Sequence, residues 1–479
     1  MRRTLHGLML ALLVSLTTSQ GAAAAWRQSA FVIGGYGVGG DPLSLVRLND
    51  ARVGIAIPID NFPPAPAREI ASRLDSLRLH RPGFRMQEIV FVEDTPQKTL
   101  LKNLDPVAHR AAILAELAPS SGLNNPSVAG WYLWDEPPPY YPPGRELSAE
   151  RVFDSIHKMT RLMRDSTNGA ATHDKLAIVN FFPIQAYPWS APPCSPDTVI
   201  AYGCHLDQYL SRFNSDSLPA PVLSFDKYPF ESPSAEFRLF FVQLAIVRDK
   251  AAQYSRPNYH IPFWSVIQSA PRRENWSSPY HPTPTFNQIR WQAYVSVAYG
   301  AKGIMYWTLR PADGPPSEPG YGASFLRRDG SVNGALYDSL TALNAELRGL
   351  GPTLMQLDPV AVFHAAANRF VLARGDDSLA KAGSALQLVS RLEGGTNEGM
   401  AGCFRTHAGS DAYVLIANKD TLIAQSFRVT LRRGARSVER VSKRDGRLIP
   451  VASNATSFAT GMIAPGGGEL FRLAAPAPQ

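Results

Sequence analysis

Residues 128–137 read VAGWYLWDEP. The segment begins as an apolar, strand-forming run and ends in two adjacent acids and a proline. Adjacent carboxylates repel each other, and burying either one costs free energy unless it is paired. Two interpretations are open. The strand end either reaches solvent with Pro137 opening a loop, or Asp135 and Glu136 form an acid–base site.

Eight apolar runs of this kind alternate with amphipathic runs in the first two thirds of the chain. The predicted strands span 31–37, 53–59, 88–94, 128–134, 175–181, 221–228, 260–268 and 302–309. Each is apolar on both faces, as is typical of a strand buried between helices. Helical spacing predicts helices over 67–79, 106–118, 148–166, 235–254, 286–300 and 335–351, the last closed by Gly351 and Pro352. This alternation predicts a (β/α)8 barrel over residues 26–351.

The hydrophobic pattern of the sequence changes after Pro352. Short strand-forming runs such as AYVLIANKD and SFRVTLRRG are separated by Gly, Asn and Asp. They predict a small antiparallel β-sandwich domain over residues 352–479. This segment has no clustered acids or aromatic residues, so we expect its role to be structural.

The first 25 residues are typical of a secretory signal peptide. Arg2 and Arg3 precede the short apolar run LMLALLV, and small residues follow up to Ala25, where we expect cleavage. The sequence therefore predicts a soluble protein that is secreted or periplasmic, without stable membrane insertion.

The formal charge of the chain is +8 and falls to +6 without the two arginines. The basic residues are scattered along the chain, which argues against a nucleic-acid partner. The oligomeric state is left open.

The chain has three cysteines, too few for a disulfide scaffold. Cys194 and Cys204 flank a proline-rich loop and are candidates for one short disulfide, which leaves Cys403 as a buried thiol. No Cys/His spacing suggests a zinc site, so the sequence predicts neither a metal nor a cofactor.

In a barrel of this kind the chemistry lies at the carboxyl ends of the strands. Those ends carry polar and aromatic residues although the strand bodies are apolar: Asp60, Asn61, Glu93, Trp134, Asp135, Glu136, Asn180, Asp226, Tyr228, Trp264, Gln268, Tyr306 and Trp307. Aromatic faces beside carboxylates and amides suit a sugar, whose ring stacks on Trp and whose hydroxyls bond the polar groups. A glycosidic bond needs one acid for the leaving oxygen and a second carboxylate for the oxocarbenium-like centre.

These residues resemble the clan-A glycoside hydrolases, a (β/α)8 superfamily whose acid/base lies on strand four. The family carries Asn-Glu-Pro there, and this chain has Asp135-Glu136-Pro137. The resemblance implies that Glu136 is the general acid/base and that Asp135 replaces the Asn that binds the sugar 2-hydroxyl. On strand six the family often has His-x-Tyr, where this chain has Asp226-Lys227-Tyr228. Trp307 matches the usual aromatic platform of strand eight, and a C-terminal β-domain is a common appendage.

The chain departs from the family on strand seven, where Gln268 occupies the position of the nucleophilic Glu. Three explanations remain open. Asp226 supplies the second carboxylate; or the reaction is substrate-assisted, with Asp135 orienting a 2-acetamido group while Glu136 protonates; or the barrel binds carbohydrate without cleaving it.

The sequence therefore predicts a glycosidase in which Glu136 points into the cleft and its neighbour points elsewhere, because successive strand residues alternate sides. The distance from Glu136 to the nearest cleft carboxylate discriminates between mechanisms. About 5–5.5 Å suits retention and about 6.5–9.5 Å suits inversion of the anomeric configuration. No carboxylate within that range, apart from the adjacent Asp135, favours binding or substrate assistance.

Overall fold

The computed structural model describes residues 26–58, 67–91, 125–137, 148–167, 175–185, 197–214, 220–230, 237–272, 282–311, 320–365, 388–396, 398–407 and 411–474. The predicted signal peptide and the predicted helix over 106–118 lie outside these residues. So do four of the residues singled out in the sequence, Asp60, Asn61, Glu93 and Cys194.

Eight parallel strands close into the predicted barrel. The strands are β1 Val32–Tyr36, β2 Ile55–Ile57, β3 Gln87–Phe91, β4 Val128–Asp135, β5 Leu176–Phe181, β6 Leu223–Asp226, β7 Phe263–Gln268 and β8 Gly303–Trp307. They pair in chain order, and β8 pairs back onto β1. All eight lie within or almost within the runs predicted from the sequence, because only strands covered on both faces are apolar throughout.

The described helices surround the barrel. They are α1 Pro42–Asp50, α2 Ala67–His80, α3 Ala149–Thr167, α4 Thr198–Asn214, α5 Phe237–Tyr254, α6 Phe286–Ala298 and α7 Gly334–Leu354. The helices predicted from the sequence included neither α1 nor α4. Helix α7 continues past its predicted end and contains Pro352 in its last turn. Because proline has no backbone N–H, the helix loses one hydrogen bond there. Among the described residues, no helix is both long enough and apolar enough to cross a membrane.

The predicted antiparallel β domain follows α7. Its strands are β9 Leu357–His364, β10 Val389–Glu393, β11 Gly399–Thr406, β12 Ala412–Asn418, β13 Gln425–Val441, β14 Leu448–Ile463 and β15 Gly468–Ala474. They form one sheet in the order β10-β13-β15-β12-β11-β9, with β14 paired to β13. The long strands β13 and β14 carry several register shifts. Because such bulges bend and twist strands, the sheet curls around its own hydrophobic cluster.

The interior of the barrel has a core of its own. Inward-facing side chains form one cluster that contains Tyr36, Ile57, Ile89, Tyr132, Leu176, Ile178, Val222, Trp264, Val266 and Met305. The outer faces of the strands pack against the helices in a second, larger cluster. These two layers fix which strand-end residues can reach the mouth of the barrel.

The cysteines follow the sequence prediction where the structure describes them. Cys204, on α4, is disulfide-bonded, and Cys403 is a buried free thiol. The predicted partner of Cys204, Cys194, lies outside the described residues.

Candidate active site

Strand β4 ends in an irregular segment that turns both acids towards the barrel mouth. Tyr132 pairs with Ile178 and Trp134 with Val179, so Leu133 is an extra residue that shifts the register. Such a bulge resets the alternation of side chains. Glu136 then adopts a left-handed backbone conformation with φ 47° and donates its N–H to the Asn180 carbonyl oxygen at 2.8 Å.

A left-handed backbone is unfavourable for any residue with a Cβ, and it costs about 1–2 kcal/mol. Two contacts hold the segment in place. Beside the bond to Asn180, the buried His205 of α4 donates from Nε2 to the Pro137 carbonyl oxygen at 3.1 Å. Burial lowers the pKa of His205 to about 4, so its imidazole is neutral at ordinary pH. The neighbouring helix thus fixes the loop that carries Glu136.

Three buried side chains on β5 and β6 form a chain of hydrogen bonds beside Glu136. Ser224 Oγ donates to Asn180 Oδ1 at 2.8 Å, and Asn180 Nδ2 donates to Asp226 Oδ1 at 2.8 Å. The serine fixes which end of the Asn180 amide faces the carboxylate. Asn180 and Asp226, both predicted from strand ends, therefore lie in direct contact.

Asp226 also accepts a hydrogen bond from the side chain of Glu136. Burial raises the pKa of Asp226 to about 6, although the bonds from Asn180 and Glu136 and the charge of Lys227 oppose the rise. A carboxyl group donates a hydrogen bond only when it is protonated. Glu136 and Asp226 are therefore neighbouring carboxyl groups at the barrel mouth, and the Glu136 side chain favours the ionised form of Asp226.

Asp135 is held by Tyr132, which the pattern of strand ends does not indicate. Tyr132 OH donates to Asp135 Oδ1 at 2.6 Å, and Tyr36 OH lies 3.5 Å from Tyr132 OH. Burial and the Asp135 charge raise the pKa of Tyr132 well above its ordinary value, so this hydroxyl stays a donor. Asp135 thus contacts the barrel interior and does not point away from it, because the bulge at Leu133 breaks the alternation.

Strands β7 and β8 bring unpartnered polar groups to the same mouth. Gln268 pairs with Trp307 across the two strands. The Gln268 side chain is 2% exposed, and within the described part of the chain neither its Oε1 nor its Nε2 has a hydrogen-bond partner. Trp307 Nε1 is also buried and unpartnered. The Trp307 ring lies 5.1 Å from that of Tyr36. Trp307 and Tyr228 both pack against the interior cluster.

Three of the predicted binding residues lie elsewhere. Trp134 packs in the cluster between strands and helices. Tyr306 also faces outward, where its hydroxyl donates to Asn344 Oδ1 at 2.7 Å. Trp264 faces inward but lies at the amino end of the barrel, because β7 begins only one residue earlier; its Nε1 donates to Gln28 Oε1 at 2.9 Å.

The closed parallel barrel followed by an antiparallel β domain is a fold that this chain shares with solved glycoside hydrolases. Among solved structures, the chain is similar to a β-galactosidase from Bacillus circulans sp. alkalophilus, with a TM-score of 0.52 at 10% identity over 93% of this chain and 99% of that one. Gan42B, a GH42 β-galactosidase from G. stearothermophilus, gives a TM-score of 0.52 at 9% identity over 94% and 99%.

A third structure, described as a glycoside hydrolase, gives a TM-score of 0.50 at 11% identity over 94% of this chain and 93% of that chain. Models of protein families yield no match, and no curated protein matches. At such identities the likeness shows a shared fold, and function has to be argued from the site.

Proposed function

We propose that the protein is a glycosidase that cleaves a poly- or oligosaccharide, with Glu136 as the general acid. The hydrogen bond between Glu136 and Asp226 carries this proposal. It supports a pairing of one proton donor with one carboxylate at the mouth of a glycosidase-like barrel. Two carboxyl groups whose surroundings separate their proton affinities are the usual arrangement for general acid–base chemistry.

This pairing supports a specific first step. With Asp226 ionised, Glu136 carries the proton and donates a hydrogen bond to Asp226. When a sugar enters, its glycosidic oxygen replaces Asp226 as the acceptor, and the C–O bond breaks as the proton is transferred. Asp226 is then a carboxylate that can stabilise the oxocarbenium-like centre or activate water.

Unpartnered groups on the opposite side of the mouth support a polyhydroxylated ligand. A buried polar atom without a hydrogen bond costs about 1–3 kcal/mol. Gln268 contributes two such atoms and the adjacent Trp307 a third. Sugar hydroxyls are both donors and acceptors, so one sugar can bond the Gln268 amide and the N–H at the edge of the Trp307 ring.

A substrate-assisted reaction is the second candidate, and one observation favours it. Tyr132 fixes Asp135 at 2.6 Å, whereas strand β7 offers the neutral Gln268 where a nucleophile is expected. An anchored Asp135 can orient a 2-acetamido group while Glu136 protonates the leaving oxygen. The third possibility, a barrel that binds carbohydrate without cleaving it, rests on Gln268 alone.

The first experiment replaces Glu136 by Gln, which keeps the shape and removes the proton. Turnover of a natural glycan should fall by about 10²–10⁴-fold, with binding retained. The loss should be smallest for nitrophenyl glycosides, whose leaving group needs no protonation. Glu393→Gln, at a partly exposed glutamate of β10, is the control. Unchanged turnover in Glu136→Gln would show that the acid is elsewhere.

Gln268→Ala separates binding from catalysis in the same assays. A neutral amide mainly holds hydroxyls, so the variant should raise KM about tenfold and change kcat little. Loss of kcat with affinity unchanged would give Gln268 a role in the transition state. Wild-type protein that binds glycans and cleaves neither chromogenic glycosides nor polysaccharides would establish the silent barrel. Cleavage restricted to 2-acetamido sugars would establish substrate assistance.

A further inference from the structure

A cluster of two histidines and one aspartate lies at the junction of barrel and β domain, away from the barrel mouth. His260 precedes β7, at the amino end of the barrel. Asp358 is in β9, and His407 directly follows β11. The pairing of β9 with β11 fixes two of them, because Asp358 lies opposite Arg405 and the His407 N–H donates to the Gln356 carbonyl at 3.1 Å.

We infer that His260, Asp358 and His407 bind one divalent transition-metal ion, Zn²⁺ in the first instance, and that this ion fastens the β domain to the barrel. His260 Nδ1 lies 2.9 Å from Asp358 Oδ1, and His407 Nε2 lies 3.2 Å from the same oxygen. The three ligand atoms all lie within 4.8 Å of one another.

These separations fit a single ion after small side-chain rotations. Zinc–nitrogen and zinc–oxygen bonds of about 2.0–2.2 Å place tetrahedral ligand atoms about 3.3–3.6 Å apart. The two imidazoles are stacked at 4.2 Å with an interplanar angle of 3°, so both rings must tilt towards the ion. Their side chains are 41% and 35% exposed, which leaves room for that rotation.

The donor set selects the kind of metal. Two imidazoles and one carboxylate suit zinc and its transition-metal neighbours, whereas Ca²⁺ and Mg²⁺ prefer oxygen ligands. A cavity of about 770 Å³ borders all three residues and gives access to a fourth coordination position. The nearby Lys302 ammonium is directed at the carbonyl oxygens of Leu354 and Leu357, and its charge limits the affinity without occupying the site.

The sequence predicted no metal because its three ligands are far apart along the chain and match no short-range spacing. Only the fold brings them together. Since the ligands come from both the barrel and the sheet, an ion that binds them binds the native protein and not the unfolded chain. Its binding free energy therefore adds to folding stability.

The test is a titration of untagged full-length protein with ZnCl₂ at pH 7.5, followed by calorimetry. We expect one site per chain with a dissociation constant in the micromolar range or below. Zinc affinity should fall by about tenfold or more in each of the variants His260→Ala, His407→Ala and Asp358→Asn. His80→Ala, at an exposed histidine of α2, should not lower it. Zinc should also raise Tm by about 2–4 °C in wild type and not in His407→Ala. CaCl₂ should neither bind in the titration nor raise Tm.

Circular dichroism verifies that each variant is folded. If an alanine variant does not fold, the conservative variant Asp358→Asn provides the test in its place. The absence of a stoichiometric site in the wild type would overturn the inference and leave a hydrogen-bonded His–Asp–His cluster. So would zinc binding that survives all three substitutions. Neither readout uses glycosidase activity, so failure here and failure of the proposed function are distinguishable.

Discussion

At the scale of single residues, Asp226 is the group whose chemistry depends most on its surroundings. Burial raises its pKa to about 6 in the folded protein, above the value of about 3.9 in an unfolded chain. The protonated form therefore favours folding. This contribution is complete below about pH 3.9, and it is lost as the pH rises through about 6.

Asp226→Asn should remove this pH dependence. Between pH 5 and pH 7.5 the unfolding free energy of the variant should gain about 1 kcal/mol relative to wild type. Urea denaturation at the two pH values measures the change, and Asp249→Asn, at an exposed aspartate of α5, is the control. If the difference in unfolding free energy between variant and wild type is the same at both pH values, or shifts in favour of wild type at pH 7.5, the pKa of Asp226 is not raised.

At the scale of elements, the bulge of β4 positions the Glu136 carboxyl group and leaves the Glu136 backbone strained. The extra residue Leu133 and the left-handed conformation of Glu136 turn the strand end towards Asp226. The polar contacts of Asn180 and His205 offset the cost of that conformation. A regular strand in the same place would alternate Asp135 and Glu136 between inside and outside.

Comparing two substitutions that both remove the carboxyl group tests this strain. Glycine has no Cβ and adopts φ 47° freely, whereas alanine does not. Glu136→Gly should therefore be more stable than Glu136→Ala by about 1 kcal/mol, although glycine loses more entropy on folding. Chemical denaturation measures the difference. Equal stability, or a more stable alanine variant, would mean that the backbone at this position is unstrained.

The same element explains how far the sequence could predict the site. Glu136, Asp226 and Asn180 were predicted because strand ends are visible in the hydrophobic pattern. Whether a strand-end residue faces inward depends on bulges and on the residue at which the strand begins. The sequence shows neither, so Trp134, Trp264 and Tyr306 were included with the site. Tyr36 and Tyr132 were missed because aromatic residues in a strand body are typical of packing.

At the scale of the whole molecule, the barrel and the β domain are packed through a glycine contact. A Cβ on Gly402 of β11 would lie 2.2 Å from the Ala298 carbonyl oxygen at the end of α6. Hydrogen bonds continue the same interface, since Asn287 Nδ2 donates to the Thr421 carbonyl at 2.9 Å and Arg290 Nε to the Pro465 carbonyl at 2.8 Å. Helix α6 therefore depends on the sheet for part of its burial.

Gly402→Ala should separate these two surfaces. Its methyl group meets backbone, which cannot rotate away, so the overpacking should cost about 1–3 kcal/mol or more. Gly434→Ala is the matched control in the same sheet, because the nearest atoms to its Cβ are 3.5 Å away, and it should change stability by less than about 0.5 kcal/mol. Thermal unfolding of both variants beside wild type measures the effect. If Gly402→Ala unfolds at the wild-type temperature, the sheet yields at this contact, and the stability of the barrel does not depend on close packing there.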